Sequence, residues 1–221
     1  MREVTPTGLN APATTRVAIV CFDGFDELDC FITLGLLNRL RPLGCSAELC
    51  GPGSAISSMN GVQLQLQRPL EWANEAEAVL FGSNLYNRAL AENSALLDRL
   101  QLDPLRQRVG ALGSGTLLLA RLGLLGDMPA CCDAATRPWL LEAGVRVLEN
   151  EPFHAHGPVA TASGGLAAPL LATWLMLHLQ GEAATREALR PVVAAGAREP
   201  AVDRLLAQVR SACTGGLEHP A

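Results

Sequence analysis

The chain contains no lysine: all 17 of its basic residues are arginine. Chemistry that depends on a lysine amine is thereby excluded, whether a Schiff base, a phosphate-loop lysine or a kinase lysine. Aromatic residues make up only 4% of the 221 positions, and charged residues only 18%. The net charge is −5 with no basic stripe, which tells against a nucleic-acid partner. The seven cysteines are an odd number and include no Cys-x-x-Cys pair. A disulfide framework and a zinc ribbon are both disfavoured, and no metal or cofactor is expected. Residues 1–16 hold no apolar stretch of the secretory type. The longest apolar run, 166–179, contains Pro169 and falls short of the ~20 residues that span a bilayer. These absences lead to the expectation of a cytoplasmic protein with no membrane partner.

Apolar residues make up 49% of the chain, enough for a large core. One domain is expected over 16–213, between loose tails at 1–15 and 214–221. Short continuous apolar runs at 17–22 and 78–81 read as buried strands of the parallel type, and 109–112 and 159–162 as further strands. Segment 46–50 reads as a strand closed by Gly51, Pro52 and Gly53. Segments 130–132 and 145–148 are brief strand candidates, and the strictly alternating 62–67 reads as a strand with one wet face near an edge. Helices are expected at 26–41, 93–101, 116–122, 136–143 and 165–179, and near 183–195 and 200–213. Strands alternating with helices predict an α/β fold with a doubly wound, mostly parallel sheet covered on both faces. Ligands of such sheets bind beyond the carboxyl ends of the strands. The informative loops are therefore 23–29, 82–86, 113–115, 132–137 and 163–165.

Two of these loops carry possible chemistry. The run from Val109 through Gly113, Ser114 and Gly115 is a strand, a sharp turn and a helix start. That is the layout of a nucleophile elbow, which lifts one side chain above the sheet edge; a plain glycine-rich turn gives the same pattern. The loop Asp23, Gly24, Phe25, Asp26, Glu27, Leu28, Asp29 holds four acids in seven residues. Helix capping explains Asp26 and Glu27, while Asp29 can point into the crevice. His154 and His156 lack a third ligand and read as part of a solvated loop. His178 reads as a core residue and His219 as part of a polar tail. Trp72, Trp139 and Trp174 read as core or interface anchors.

Three patches together resemble the ThiJ/PfpI superfamily, which is class I glutamine amidotransferase-like. They are a strand followed by Gly24 to Asp29, the turn Gly113, Ser114, Gly115 before a leucine-rich helix, and the segment 159–167 before an apolar helix. The resemblance spans about residues 16–180 and implies a single flavodoxin-like domain and a homodimer. Its members include isonitrile hydratases, glyoxalase- or deglycase-like enzymes, proteases or amidases, chaperone-like proteins and sensor domains of AraC-type regulators. The last carry DNA-binding helices after this domain. Residues 182–221 are alanine-rich and not basic, so a free-standing domain is expected.

The family's catalytic pattern is an elbow cysteine faced by a carboxylate from the first βα loop. Matched residue by residue, the carboxylate falls on Asp29, the cysteine on Gly113, and the residue after it on Ser114. Gly82 falls on the glycine-rich loop that helps hold an oxyanion, and Asp133 on a position where many members have histidine. Gly82, Ser83, Gly115 and Cys132 are expected to line the pocket. Gly113 has no side chain, so the thiolate chemistry is absent. The expectation is a non-catalytic or functionally drifted member that keeps a small-molecule pocket. The alternative is an isonitrile-hydratase- or amidase-like enzyme with a displaced nucleophile. Ser114, Cys131 and Cys132 are candidates for that role, and Asp29 could act alone as a general base.

Overall fold

A computed structural model describes residues 15–193 and 195–214. Positions 1–14 and 215–221 of the expected tails, with His219, lie outside the described residues. Thr15 and Thr214 are both strand residues.

The chain opens with β1 (Thr15–Val20), whose last four residues are all buried. Successive side chains of a strand point to opposite faces. Val17 and Ile19 enter one core, Ala18 and Val20 the other, which is why the run reads as continuously apolar. Helix α1 (Glu27–Leu37) starts where the Asp26 carboxylate accepts the N–H of Leu28 at 2.8 Å. Asp23 instead accepts the N–H of Ser57 at 2.8 Å, and Glu27 holds Ser58 and Asn60. Strand β2 (Cys45–Gly51) follows, then a separate hairpin of β3 (Ala55–Ser57) and β4 (Gln63–Gln65). The alternating segment at 62–67 thus belongs to this hairpin, and β5 (Arg68–Pro69) takes the sheet edge, where proline is tolerated.

Strand β6 (Ala78–Phe81) leads to α2 (Asn87–Glu92) and α3 (Ser94–Leu97). Strand β7 (Arg108–Leu112) leads through a tight turn to α4 (Thr116–Arg121) and then α5 (Arg137–Glu142). The chain continues with β8 (Phe153–His156), β9 (Val159–Ala162), α6 (Ala168–Leu189), α7 (Arg198–Ser211) and β10 (Cys213–Thr214). Among the described residues the main sheet has the order β10-β8-β9-β7-β6-β1-β2-β5, parallel except where β8 meets β9. Helices α1, α6 and α7 cover one face; α2 to α5 cover the other. This is the expected flavodoxin-like α/β fold.

Several local expectations are corrected. The helix at 93–101 is only the single turn α3, and α2 precedes it. The strands at 130–132 and 145–148 reduce to one bridge between Ala130 and Val147. His154 and His156 lie on β8 rather than in a loop, and His156 Nδ1 sits 3.0 Å from Thr214 Oγ1. The helix near 183–195 is present as a second helical segment of α6, set off by the non-helical Gly181 (φ +74°, ψ 177°), and it ends at Leu189. His178 is a core residue with Nδ1 2.9 Å from the Trp174 carbonyl. Trp174 is fully buried, while Trp72 and Trp139 lie under Arg68 and Arg88.

The chain passes from β1 to β2 in one direction and from β1 to β6 and β7 in the other. The switch point lies between β1 and β6, so a crevice opens outside their carboxyl ends. Gly115 sets its floor. A Cβ there would lie 2.7 Å from the carbonyl oxygen of Phe81 and 2.8 Å from that of Gly82, backbone atoms that cannot move aside. Gly115→Ala is therefore expected to destabilise the fold by about 1–3 kcal/mol, read as a lower urea midpoint at unchanged slope. An unchanged midpoint would mean that the turn does not rest on β6.

Candidate functional site

Asp29 occupies the first turn of α1 and is only 1% exposed. Long helical side chains lean toward the N-terminus, which here is the crevice. One carboxylate oxygen, Oδ2, accepts the N–H of Ser83 at 2.6 Å. The other, Oδ1, is buried without a hydrogen-bond partner among the described residues. A Cβ on Gly165, from the loop after β9, would lie 3.4 Å from Oδ1. Burial pushes the Asp29 pKa up to about 6. The N–H and hydroxyl of Ser83 oppose that rise, and the charges of Asp26 and Asp133 add to it. Gly82 packs beneath: a Cβ there would stand 3.3 Å from Asp29 Cβ and 3.4 Å from Cys30 Sγ.

The elbow follows β7. Gly113 has φ +48°, in the left-handed region where a side chain costs strain. A Cβ added to it would collide with Ser83 Oγ and lie 3.1 Å from Asp133 Oδ2. The Ser83 hydroxyl thus stands in the space into which an elbow side chain would project. It donates toward the Leu112 carbonyl at 3.3 Å. Asp133 is held by Thr136, whose N–H reaches Oδ1 at 2.9 Å and whose hydroxyl reaches Oδ2 at 2.7 Å. The fold therefore gathers Asp29, Ser83, Gly113 and Asp133 around one point.

Ser114 lies beside this point with a different set of contacts. Its Oγ accepts the N–H of Asn84 at 3.0 Å and Nδ2 of Asn87 at 2.9 Å, and donates to the Asn84 carbonyl at 3.3 Å. That hydroxyl ties the elbow to the loop after β6. Asn87 Nδ2 also donates to the Gly82 carbonyl at 3.2 Å. Asn84 and Asn87 are supports that the sequence reading passed over; the polar run after an apolar strand was their only signal. Cys132 is half-buried, with its thiol pushed up to about 11 by burial and then by Asp133. Cys131 is buried and pushed up to about 12 for the same first reason. Both remain protonated thiols at neutral pH, which are poor nucleophiles.

No family model and no curated protein matches the chain. Solved structures do resemble it. A ThiJ/PfpI family protein from Pseudomonas syringae is 14% identical, with TM-score 0.73, over 96% of this chain and 95% of that one. Drosophila melanogaster DJ-1beta is 18% identical, with TM-score 0.72, over 82% and 98%. Schizosaccharomyces pombe DJ-1 is 15% identical, with TM-score 0.70, over 81% and 100%. At such identities the likeness establishes the fold.

The buried carboxyl has a measurable consequence. Its folded pKa of about 6 exceeds the ordinary value of 3.8, so between these values the folded state holds a proton that the unfolded state has released. Stability is then fully favoured below about pH 4, falls as pH rises to about 6, and stays lower above it, by on the order of 3 kcal/mol. Asp29→Asn keeps an acceptor for the Ser83 N–H and carries no charge. It is expected to lose this slope and to exceed the natural chain in stability at pH 7, measured by urea unfolding across pH. An identical slope in both proteins would contradict the assignment.

Proposed function

We propose that the chain is a functionally drifted member of the ThiJ/PfpI superfamily, in which cysteine chemistry is lost and the crevice is kept as a small-molecule site. The observation that carries this reading is Gly113. It holds the left-handed backbone of an elbow but offers no nucleophile, and Ser83 Oγ fills the room where one would stand. An elbow thiol reacts as a thiolate in an open, electropositive setting. Here the nearest groups to that position are the Ser83 hydroxyl and the Asp133 carboxylate. Gly82 and Gly165 close in on Asp29 from two loops, which suits a small ligand.

The same reading includes a homodimer and a cytoplasmic location. Leu28, Phe31, Met59, Leu85 and Tyr86 are exposed, and their segments meet around Phe25. A contiguous exposed apolar patch of this kind supports burial against a second copy. All seven cysteines are free thiols, which suits a reducing compartment.

Turnover of isonitriles and glyoxals, which calls on the family's thiol, tests the proposal. The natural chain is expected to be silent, with or without methanethiosulfonate treatment. The pair Gly113→Cys with Ser83→Gly restores the thiol and the space for it, and is expected to exceed the natural chain by at least ~100-fold. Gly113→Cys alone should gain less, because the Ser83 hydroxyl stands in the way. Turnover by the natural chain that thiol blocking abolishes would overturn the proposal.

A further inference from the structure

Ser83 is more than a filler of space. Its hydroxyl stands where an elbow side chain would project, a position 3.1 Å from Asp133 Oδ2, and its own N–H is on Asp29 Oδ2 at 2.6 Å. A serine nucleophile needs a base within hydrogen-bond reach and a third group that holds the arrangement. Asp29 supplies the base, through a buried carboxylate with one oxygen still unpartnered. The other candidate hydroxyl, Ser114, already bonds Asn84 and Asn87. Ser83 is half-buried, and its Oγ donates to the Leu112 carbonyl at a long 3.3 Å while also favouring the ionised Asp29 carboxyl. Exposed Leu166 adjoins Gly165 at the mouth, which favours a short apolar group.

We infer that the Ser83 hydroxyl is the nucleophile of this site, with the Asp29 carboxylate as its base, acting on esters of short apolar acids. The inference rests on the thiol-free crevice proposed above and names what replaces the thiol. In the first step Ser83 Oγ bonds to the ester carbonyl carbon, its proton passes to Asp29, and the carbonyl electron pair moves onto oxygen. Collapse breaks the carbon–alkoxide bond, and the alkoxide leaves as the alcohol with the proton from Asp29. In the second step water adds to the acyl-serine carbon and gives a proton to Asp29. Ser83 Oγ leaves with that proton, and the carboxylic acid is released. No oxidant, metal or further reactant enters.

The charged groups facing Asp29 are Asp26 at the helix cap and Asp133 across the crevice, both acidic. The base is ionised only above its own pKa, so the rate should rise with pH through about 6.

The test uses p-nitrophenyl acetate and a fluorophosphonate on the full chain. The expected result is a covalent phosphonyl adduct on Ser83, located by peptide mass spectrometry. Ester turnover should drop by at least ~100-fold in Ser83→Ala and lose its rise near pH 6 in Asp29→Asn. Ser83→Cys should restore part of the turnover and make it sensitive to methanethiosulfonate. An adduct elsewhere, no adduct, or a Ser83→Ala rate equal to that of the natural chain would overturn the inference. The adduct on the natural chain decides the matter even if Ser83→Ala folds poorly. None of these failures touches the thiol-free reading, which is judged on isonitriles and glyoxals.

Discussion

A carboxyl group buried at the switch point of the sheet constrains everything around it. Asp29 is fixed by one strong hydrogen bond, from the Ser83 N–H at 2.6 Å, and its second oxygen has none. An unpaired buried polar oxygen costs about 1–3 kcal/mol, so the fold sustains this group against a local penalty. The surroundings accommodate it in detail. Asp26 caps the helix that carries it, Gly82 gives its Cβ room below, and Gly165 gives its free oxygen room from the side. A bond between the first turn of α1 and the end of β6 also couples the two strands where the chain reverses direction. Strain concentrated at such a point, rather than relieved, is the usual mark of a working site.

The elbow and the loop after β6 together shape the point above the sheet edge. Gly113 keeps the left-handed turn, Ser114 locks the turn to Asn84 and Asn87, and Ser83 places a hydroxyl where a side chain on Gly113 would project. Gly115 lets the turn settle directly on the carbonyls of Phe81 and Gly82. The arrangement is rigid because every member is tied to backbone, and it leaves oxygen, not sulfur, beside the two carboxylates. The seven thiols of the chain play no visible part in it, and those next to the site are raised well away from the thiolate form.

The parallel core was legible because its strands are buried on both faces. β6 is an unbroken apolar run closed by a turn residue, and β1, β7 and β9 are nearly so, with every residue from Val17, Val109 and Val159 onward buried. β8 was not legible, since His154 and His156 alternate with Phe153 and Ala155 and read as polar loop. Residues 130–132 and 145–148 have strand composition, yet they find only each other and form one bridge. α2 escaped because only Asn87 and Ala91 of its six residues are buried. In the site, Asp29, Gly82, Gly113, Ser114 and Asp133 could be placed from loops and motif order. The direction of the Ser83 hydroxyl could not. It depends on β6 and β7 pairing Phe81 with Ala111, which brings the residue after Gly82 over Gly113. No periodicity within either strand records that register.

The account stands on Asp29 being a buried carboxyl whose ionisation is governed by its surroundings and by Ser83. Carbon-detected NMR titration of the Asp29 carboxyl, in the natural chain and in Ser83→Ala, measures this directly. The account predicts a midpoint of about 6 in the natural chain and a higher one in Ser83→Ala, because burial raises the value and the Ser83 hydroxyl lowers it. A midpoint near the ordinary 3.8, or one that ignores the loss of the hydroxyl, would contradict it.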